Sequence, residues 1–344
     1  MRTYLIAEIG CNHNGDPAIA RAMVDEAAEC GVDAVKFQTF KAEELISRYA
    51  PKAEYQKETT GEGGTQLEMT RKLELGGDDL LDLQSHAASL GLDSFSTAFD
   101  IGSAAFLAEH GQRVWKIPSG EITNLPLLRY IGALGIPGKR VILSTGMATV
   151  DEIRACVDVL RGCGTTSSSI TLLHCNTEYP TPDRDVNLTA ISALREAFPG
   201  MAIGFSDHSV GWIAAVGAVA LGATVVEKHF TLSKSLPGPD HRASATPEEL
   251  RELCRAVRRM ESMAGCGEKI VTESEAKNKI VARKSIVAAR AIGEGEEFRE
   301  GNVICKRPGN GISPMLWDDL LGKKAERPFE RDELIEAEGL PWQA

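Results

Sequence analysis

No run of apolar residues in the 344-residue sequence is long enough to cross a bilayer, which excludes a helical membrane anchor. The first apolar run, Leu5-Ile6-Ala7, is stopped at once by Glu8, so the anatomy of a secretory leader is missing and a cytoplasmic protein is expected. Cys-x-x-Cys pairs are missing too. The eight cysteines (11, 30, 156, 163, 175, 254, 266 and 305) are scattered, as reduced thiols are, and form no disulfide framework. Positive charge is in deficit: 38 Lys and Arg stand against 49 Asp and Glu, a formal net charge of −11. That balance argues against nucleic acid or an acidic membrane as partner, but leaves room for a small anionic substrate in a local pocket. No Gly-x-Gly-x-x-Gly follows the first strand, which disfavours a dinucleotide-binding doubly wound sheet.

What is present is a rhythm. Short β-rich runs at 4–9, 34–39, 93–98, 114–118, 141–145, 170–175, 202–207 and 224–230 alternate with amphipathic segments such as 18–29, 78–90, 150–161 and 188–198. Eight strand–helix units closing within roughly 250 residues predict an α/β fold, a (β/α)8 TIM barrel. The expected organisation is a barrel over 1–267, a charged linker over 268–284 and a small domain over 285–344. In the small domain, 285–289 and 303–305 read as strands joined by a turn at 293–296. A unit of roughly 60 residues is marginal alone, so it is expected to lean on something larger. Lys41 to Leu75, after the second strand, is too long for an ordinary connection and reads as a lid or binding loop.

The strand ends carry the chemistry. Each turns polar on its carboxyl side, where barrel enzymes assemble their sites. Lys36 and Lys116, with Ser119, Ser144 and Ser206, form a candidate anion cradle, since lysine supplies charge and hydroxyls supply directed donors. By strand alternation Lys228 points away from Glu227 and His229, toward the helices. His208 and His229, at the ends of the last two strands, suit a divalent metal with open coordination positions. Glu8, Glu227 and Asp240 are candidates for proton transfer or metal support. A metal polarising a carbonyl beside an anion cradle points to a lyase or synthase joining a phosphorylated carbon nucleophile to a carbonyl. Two other classes stand beside it: a Schiff-base aldolase using Lys36 or Lys116, and a non-catalytic protein whose tail is an ice- or glycan-binding module on an inactive barrel.

Several stretches resemble a known family. They are Ala7-Glu8-Ile9-Gly10-Cys11-Asn12-His13-Asn14-Gly15, Val35-Lys36-Phe37-Gln38-Thr39, Trp115-Lys116-Ile117-Pro118-Ser119-Gly120-Glu121 and Leu143-Ser144-Thr145-Gly146-Met147. His174 to Pro182, Phe205-Ser206-Asp207-His208-Ser209 and Glu227-Lys228-His229-Phe230-Thr231 complete the set. Together they resemble the bacterial sialic acid synthases. The tail, with Lys306-Arg307-Pro308-Gly309-Asn310-Gly311, is similar to their antifreeze-like (SAF) domain. Within the family, Ala53-Glu54-Tyr55-Gln56 and Gln66-Leu67-Glu68-Met69 look most like N-acetylneuraminate synthases of the enterobacterial capsule type.

The resemblance implies a transferase that condenses phosphoenolpyruvate with N-acetylmannosamine, releasing phosphate by C–O cleavage and using Mn2+ or Mg2+. The alternative keeps the chemistry and changes the sugar to a 2,4-diacetamido-2,4,6-trideoxy hexose, giving legionaminic or pseudaminic acid. It further implies that His208 and His229 hold the metal, and that Lys36, Thr97, Lys116, Ser119, Ser144, Ser206 and one or both of Asn176 and Thr177 hold phosphoenolpyruvate. Glu8, Gln38, Tyr179 and Asp240 would meet the sugar, with Glu8 first for proton transfer. Arg307 would reach the N-acetyl group from a partner subunit in a domain-swapped homodimer. Ala98 stands where the family commonly has proline.

Overall fold

The structure, a computed structural model, describes residues 2–61 and 63–343; the side chain of Tyr55 lies outside what is described. Eight strands close into a parallel barrel in sequence order: β1 (Tyr4–Gly10), β2 (Ala34–Thr39), β3 (Asp93–Ala98), β4 (Val114–Ile117), β5 (Arg140–Ser144), β6 (Ile170–Cys175), β7 (Ala202–Asp207) and β8 (Val225–His229). The expected strands are therefore all there, with ends moved by a residue or so. Outer helices follow them, among them Pro17–Cys30, Gly77–Ser89, Val150–Gly162 and Ala190–Ala197. Their starts are encoded locally. Asp16 accepts from the Ala18 amide just before Pro17, and Thr149 and Thr246 form reciprocal capping boxes with Glu152 and Glu249.

Strand alternation divides the barrel into two surfaces. Leu5, Val35, Phe37, Trp115, Leu143, Phe205 and Val226 face outward into the core shared with the helices. Inside, Ile6, Ala34, Phe95, Val114, Ile142, Leu173 and Val225 form an apolar floor. Two residues further along, the same inward face is polar on seven of the eight strands, at Glu8, Lys36, Thr97, Lys116, Ser144, Ser206 and Glu227, and carries Cys175 on β6. The floor packs tightly enough to need glycine at 204, where an added Cβ would come within 2.5 Å of both Leu173 Cδ2 and the Val225 carbonyl oxygen.

The 41–75 segment folds into three short helices, Ala42–Leu45, Glu54–Thr60 and Gln66–Arg71. No helix among the described residues is long and apolar enough to cross a membrane.

The chain divides into two compact units at Gly265–Cys266. In the second, β9 (Ser285–Ala288) pairs antiparallel with β10 (Val303–Lys306), and Ile286, Ile292, Phe298, Ile312, Phe329 and Ile335 form its small core. Residues 268–284, read above as a linker, contain the helix Glu273–Ala282. None of its residues is buried, which is why no apolar period marks it. Its end is tied to this second unit, Gly309 N donating to the Ile280 carbonyl at 2.7 Å.

Candidate active site

Register places the polar inward residues side by side. Glu8 is the Cα partner of Lys36 on one side and His229 on the other; Gln38 pairs with Thr97, Thr97 with Lys116, and Ser206 with Glu227. The result is a buried charge cluster. Lys36 Nζ lies 2.7 Å from Glu8 Oε2 and 3.9 Å from Glu227 Oε2, and Lys116 Nζ lies 3.1 Å from Glu227 Oε1. Gln38 Nε2 donates to Glu8 Oε1 at 2.8 Å, Lys36 to Thr97 Oγ1 at 3.2 Å and Ser206 Oγ to Glu227 Oε1 at 3.1 Å. Of the other oxygens, Glu8 Oε2 faces the Lys36 ammonium, and Glu227 Oε2 is buried with no hydrogen-bond partner among the described residues. Gly10, at φ +54°, leaves room for the Glu8–Gln38 pair, since a Cβ there would lie 2.9 Å from Glu8 Oε1.

Burial and neighbours set the protonation of this cluster. Burial pushes Glu8 up to about 6 against the pull of Lys36. Glu227 is equally buried, but Lys116 and Lys36 outweigh that penalty and hold it well below the usual carboxylate range. Burial would lower Lys36, yet Glu227 and Glu8 keep it above its ordinary value, whereas burial wins at Lys116 and lowers it. Lys36 is thus a firmly charged group and a poor Schiff-base nucleophile.

The two imidazoles stand beside this cluster, ring centroids 5.3 Å apart. His208 Nδ1 donates to the Asn176 carbonyl, so the neutral ring carries its lone pair on Nε2, which faces Ser206 Oγ at 3.3 Å and Tyr179 Oη at 3.2 Å. Burial pushes His208 down to about 4 and His229 well below its ordinary value, so both rings are neutral at neutral pH. Asp240 Oδ2 is 3.8 Å from His229 Nδ1 and accepts from Cys11 Sγ at 3.4 Å; burial raises Asp240 to about 6.

Of the residues proposed from sequence, Glu8, Lys36, Gln38, Thr97, Lys116, Ser119, Ser144, Thr177, Tyr179, Ser206, His208, His229 and Asp240 line one cavity of about 290 Å³. Asn176 is not among them. Its side chain accepts from the Glu178 amide at 2.8 Å and donates to the Asp185 carbonyl, shaping the loop, and its own carbonyl holds His208. Arg307 lies in the second unit, where its Nε donates to the Ala282 carbonyl at 2.9 Å. Lys228 turns away from the cavity, as alternation predicted, and pairs with Asp207.

Sequence reasoning did not place the apolar lining. Phe40, Leu45, Ile46, Met69, Leu73 and Phe99 supply an apolar part of the cavity lining, four of them from the 41–75 segment, which also contributes Gln56, Gln66 and Thr70. Glu227, two residues before His229, was expected on the inward face with it and as one of three candidate carboxylates, but its pairing with both lysines was not.

A divalent ion fits the donor set in two respects. The imidazoles are neutral, as ligands must be, and a backbone carbonyl orients one of them. Among the described residues no group of three or more His, Cys, Asp or Glu side chains is arranged around one metal position, so two protein ligands with open positions is the arrangement available.

Comparison with known proteins decides the family. The NeuB family profile matches residues 23–269, and the SAF domain profile matches 283–341. The chain belongs to the NeuB family. It is 48% identical to an N,N'-diacetyllegionaminic acid synthase of Campylobacter jejuni, over 97% of this chain and 99% of that one. It is 42% identical to a protein of the same name from Legionella pneumophila, over 94% and 90%. A crystal structure of N-acetylneuraminic acid synthetase from Leptospira borgpetersenii superposes with a TM-score of 0.72 at 33% identity, over 81% of this chain and 90% of that one.

Proposed function

We propose that this NeuB-family protein condenses phosphoenolpyruvate with a 2,4-diacetamido-2,4,6-trideoxy hexose, releasing phosphate and forming N,N'-diacetyllegionaminic acid. Sequence reading alone ranked N-acetylmannosamine first. Identity of 48% and 42% to the two legionaminic acid synthases, against 33% to the N-acetylneuraminic acid synthetase, supports the other sugar. The observation that carries this reading is the apolar lining of Phe40, Leu45, Ile46, Met69, Leu73 and Phe99. A 6-deoxy sugar offers a methyl and a second acetamido methyl to these apolar side chains.

In this reading Lys36, Lys116, Thr97, Ser119, Ser144, Thr177 and Ser206 bind the phosphate and carboxylate of phosphoenolpyruvate, and Gln38, Tyr179 and Asp240 orient the sugar. C3 of phosphoenolpyruvate attacks the aldehyde, water adds at C2, and the C2–O bond breaks to free phosphate. Glu8, raised to about 6, takes the proton from the attacking water and returns it to the former aldehyde oxygen. His208 and His229 would hold Mn2+ or Mg2+, which when bound would supply Lewis-acid polarisation of the aldehyde. Two lysines, Lys36 and Lys116, balance two carboxylates, Glu8 and Glu227, so a divalent ion held by His208 and His229 would also offset the charge that phosphoenolpyruvate brings. Arg307 of the partner subunit, in a domain-swapped homodimer, would meet an acetamido group.

The test is phosphate release from phosphoenolpyruvate with each sugar, with and without chelator. Metal-dependent release with a higher kcat/KM for the diacetamido sugar is expected. A higher kcat/KM for N-acetylmannosamine would return the assignment to N-acetylneuraminate, and borohydride trapping of pyruvate on Lys116 would replace it with a Schiff-base aldolase.

A further inference from the structure

On β7 and β8 the cavity side carries Ser206, His208, Glu227 and His229, while the helix side continues from Phe205 and Val226 to two charges, Asp207 and Lys228. Neither charge lines the cavity, yet they are only 0% and 2% exposed. They are Cα partners in the strand register. Lys228 Nζ donates to Asp207 Oδ2 at 2.9 Å and to the Ser209 carbonyl, and Asp207 Oδ1 accepts from Ser209 N at 2.9 Å and Ser209 Oγ at 2.6 Å.

Stability alone is a weak reason for such a pair. Buried ion pairs are often replaced by apolar residues at little cost, and the neighbouring positions on this face are apolar. Position supplies a better reason. Asp207 immediately precedes His208 and Lys228 immediately precedes His229, so the pair joins two strand ends one residue short of each imidazole. Because alternate side chains share one backbone, fixing the outward residues fixes the inward ones. Ser209 extends the hold past His208, whose carbonyl accepts from Thr181 N at 2.9 Å.

We infer that Asp207, Lys228 and Ser209 form a positioning clamp that sets the spacing of His208 and His229, so that both can hold one divalent cation. The inference rests on the metal reading above.

Mn2+ binding to the chelator-stripped full chain, followed by calorimetry and by the electron paramagnetic resonance signal of free Mn2+, tests it, with thermal unfolding measured alongside. The native chain should bind one ion, and His208→Ala should lose it. Asp207→Asn and Lys228→Met should remain folded at 10 °C in far-ultraviolet dichroism and bind Mn2+ about 10–100-fold more weakly. Ser209→Ala removes one hydroxyl bond without stranding a charge. It should weaken binding less, in the same direction, and carries the test if the charge variants do not fold. Folded variants that bind Mn2+ as tightly as the native chain, even with lowered unfolding midpoints, would overturn the clamp alone. A native chain that binds no Mn2+ would overturn the metal reading and the clamp with it.

Discussion

The two units of this chain use charge in opposite ways. In the barrel, Glu8, Lys36, Lys116, Asp207, Glu227 and Lys228 are all buried, bonded to one another and confined to the carboxyl ends of the strands. In the tail, Lys306–Asp332, Arg290–Glu296, Arg299–Glu297 and Arg327–Glu333 are likewise pairs of a cation and a carboxylate, but they lie in solvent. Solvent screens the second kind and makes it nearly dispensable, whereas the first kind is costly to assemble and gathers in and beside the cavity. Location, more than residue type, separates a site from a surface.

The comparison breaks most visibly at Glu8. Glu8→Gln should keep the fold and lower kcat by about 10²–10⁴-fold, the span of a lost proton-transfer group, in steady-state phosphate release. Activity within a few-fold of native would remove Glu8 from the chemistry. Beneath the mouth the floor should matter to stability instead. Phe95→Ala empties a fully buried ring position and should destabilise the barrel by about 3–5 kcal/mol in denaturant unfolding, with KM values little changed at low temperature.

A third difference is pH. All seven histidines lie in the barrel and none in the tail. Burial pushes His13 and His208 down to about 4 and lowers His229 and His241, so below about pH 6.5 the unfolded chain binds protons that the native barrel refuses. Glu8 and Asp240, raised to about 6, and Glu121, also raised, act in the opposite sense, because the native state protonates them first. Four imidazoles, released at the higher pH, outweigh them, and barrel stability should fall between pH 7 and about 5.5. In the tail Glu296 is held at about 2 by its bond to Arg290, Asp332 is lowered by Lys306 and Glu333 by the Glu330 amide, so the tail should lose stability only as pH drops below the ordinary carboxylate range. Two calorimetric transitions followed over that range would show it, and transitions moving together would contradict it. Smallest of all, Lys306→Ala should leave both transitions where they are, since its partner Asp332 is in solvent.

How much of this was legible in sequence depends on whether alternation applied. Inside strands it did: Lys36, Lys116, Ser206 and Glu227 face inward and Lys228 outward, because a pleated strand permits nothing else. Past the strand ends it failed. Nothing in the order Asn176-Thr177 says that the threonine reaches the cavity while the asparagine amide caps its own loop. The 41–75 segment stood out by length as a lid or binding loop, but its helices are too short to carry a period, so Leu45, Ile46, Met69 and Leu73 gave no sign of lining the cavity. The exposed helix Glu273–Ala282 was missed as an element for the complementary reason: it buries nothing.

The most direct test of the account is the fate of the oxygen that bridges C2 and phosphorus in phosphoenolpyruvate. With 18O at that position and the diacetamido sugar as acceptor, the account predicts that the label leaves entirely in inorganic phosphate and that the sugar acid takes its new C2 oxygen from water. Label retained in the sugar acid would mean P–O cleavage and would contradict the chemistry assigned to the barrel mouth.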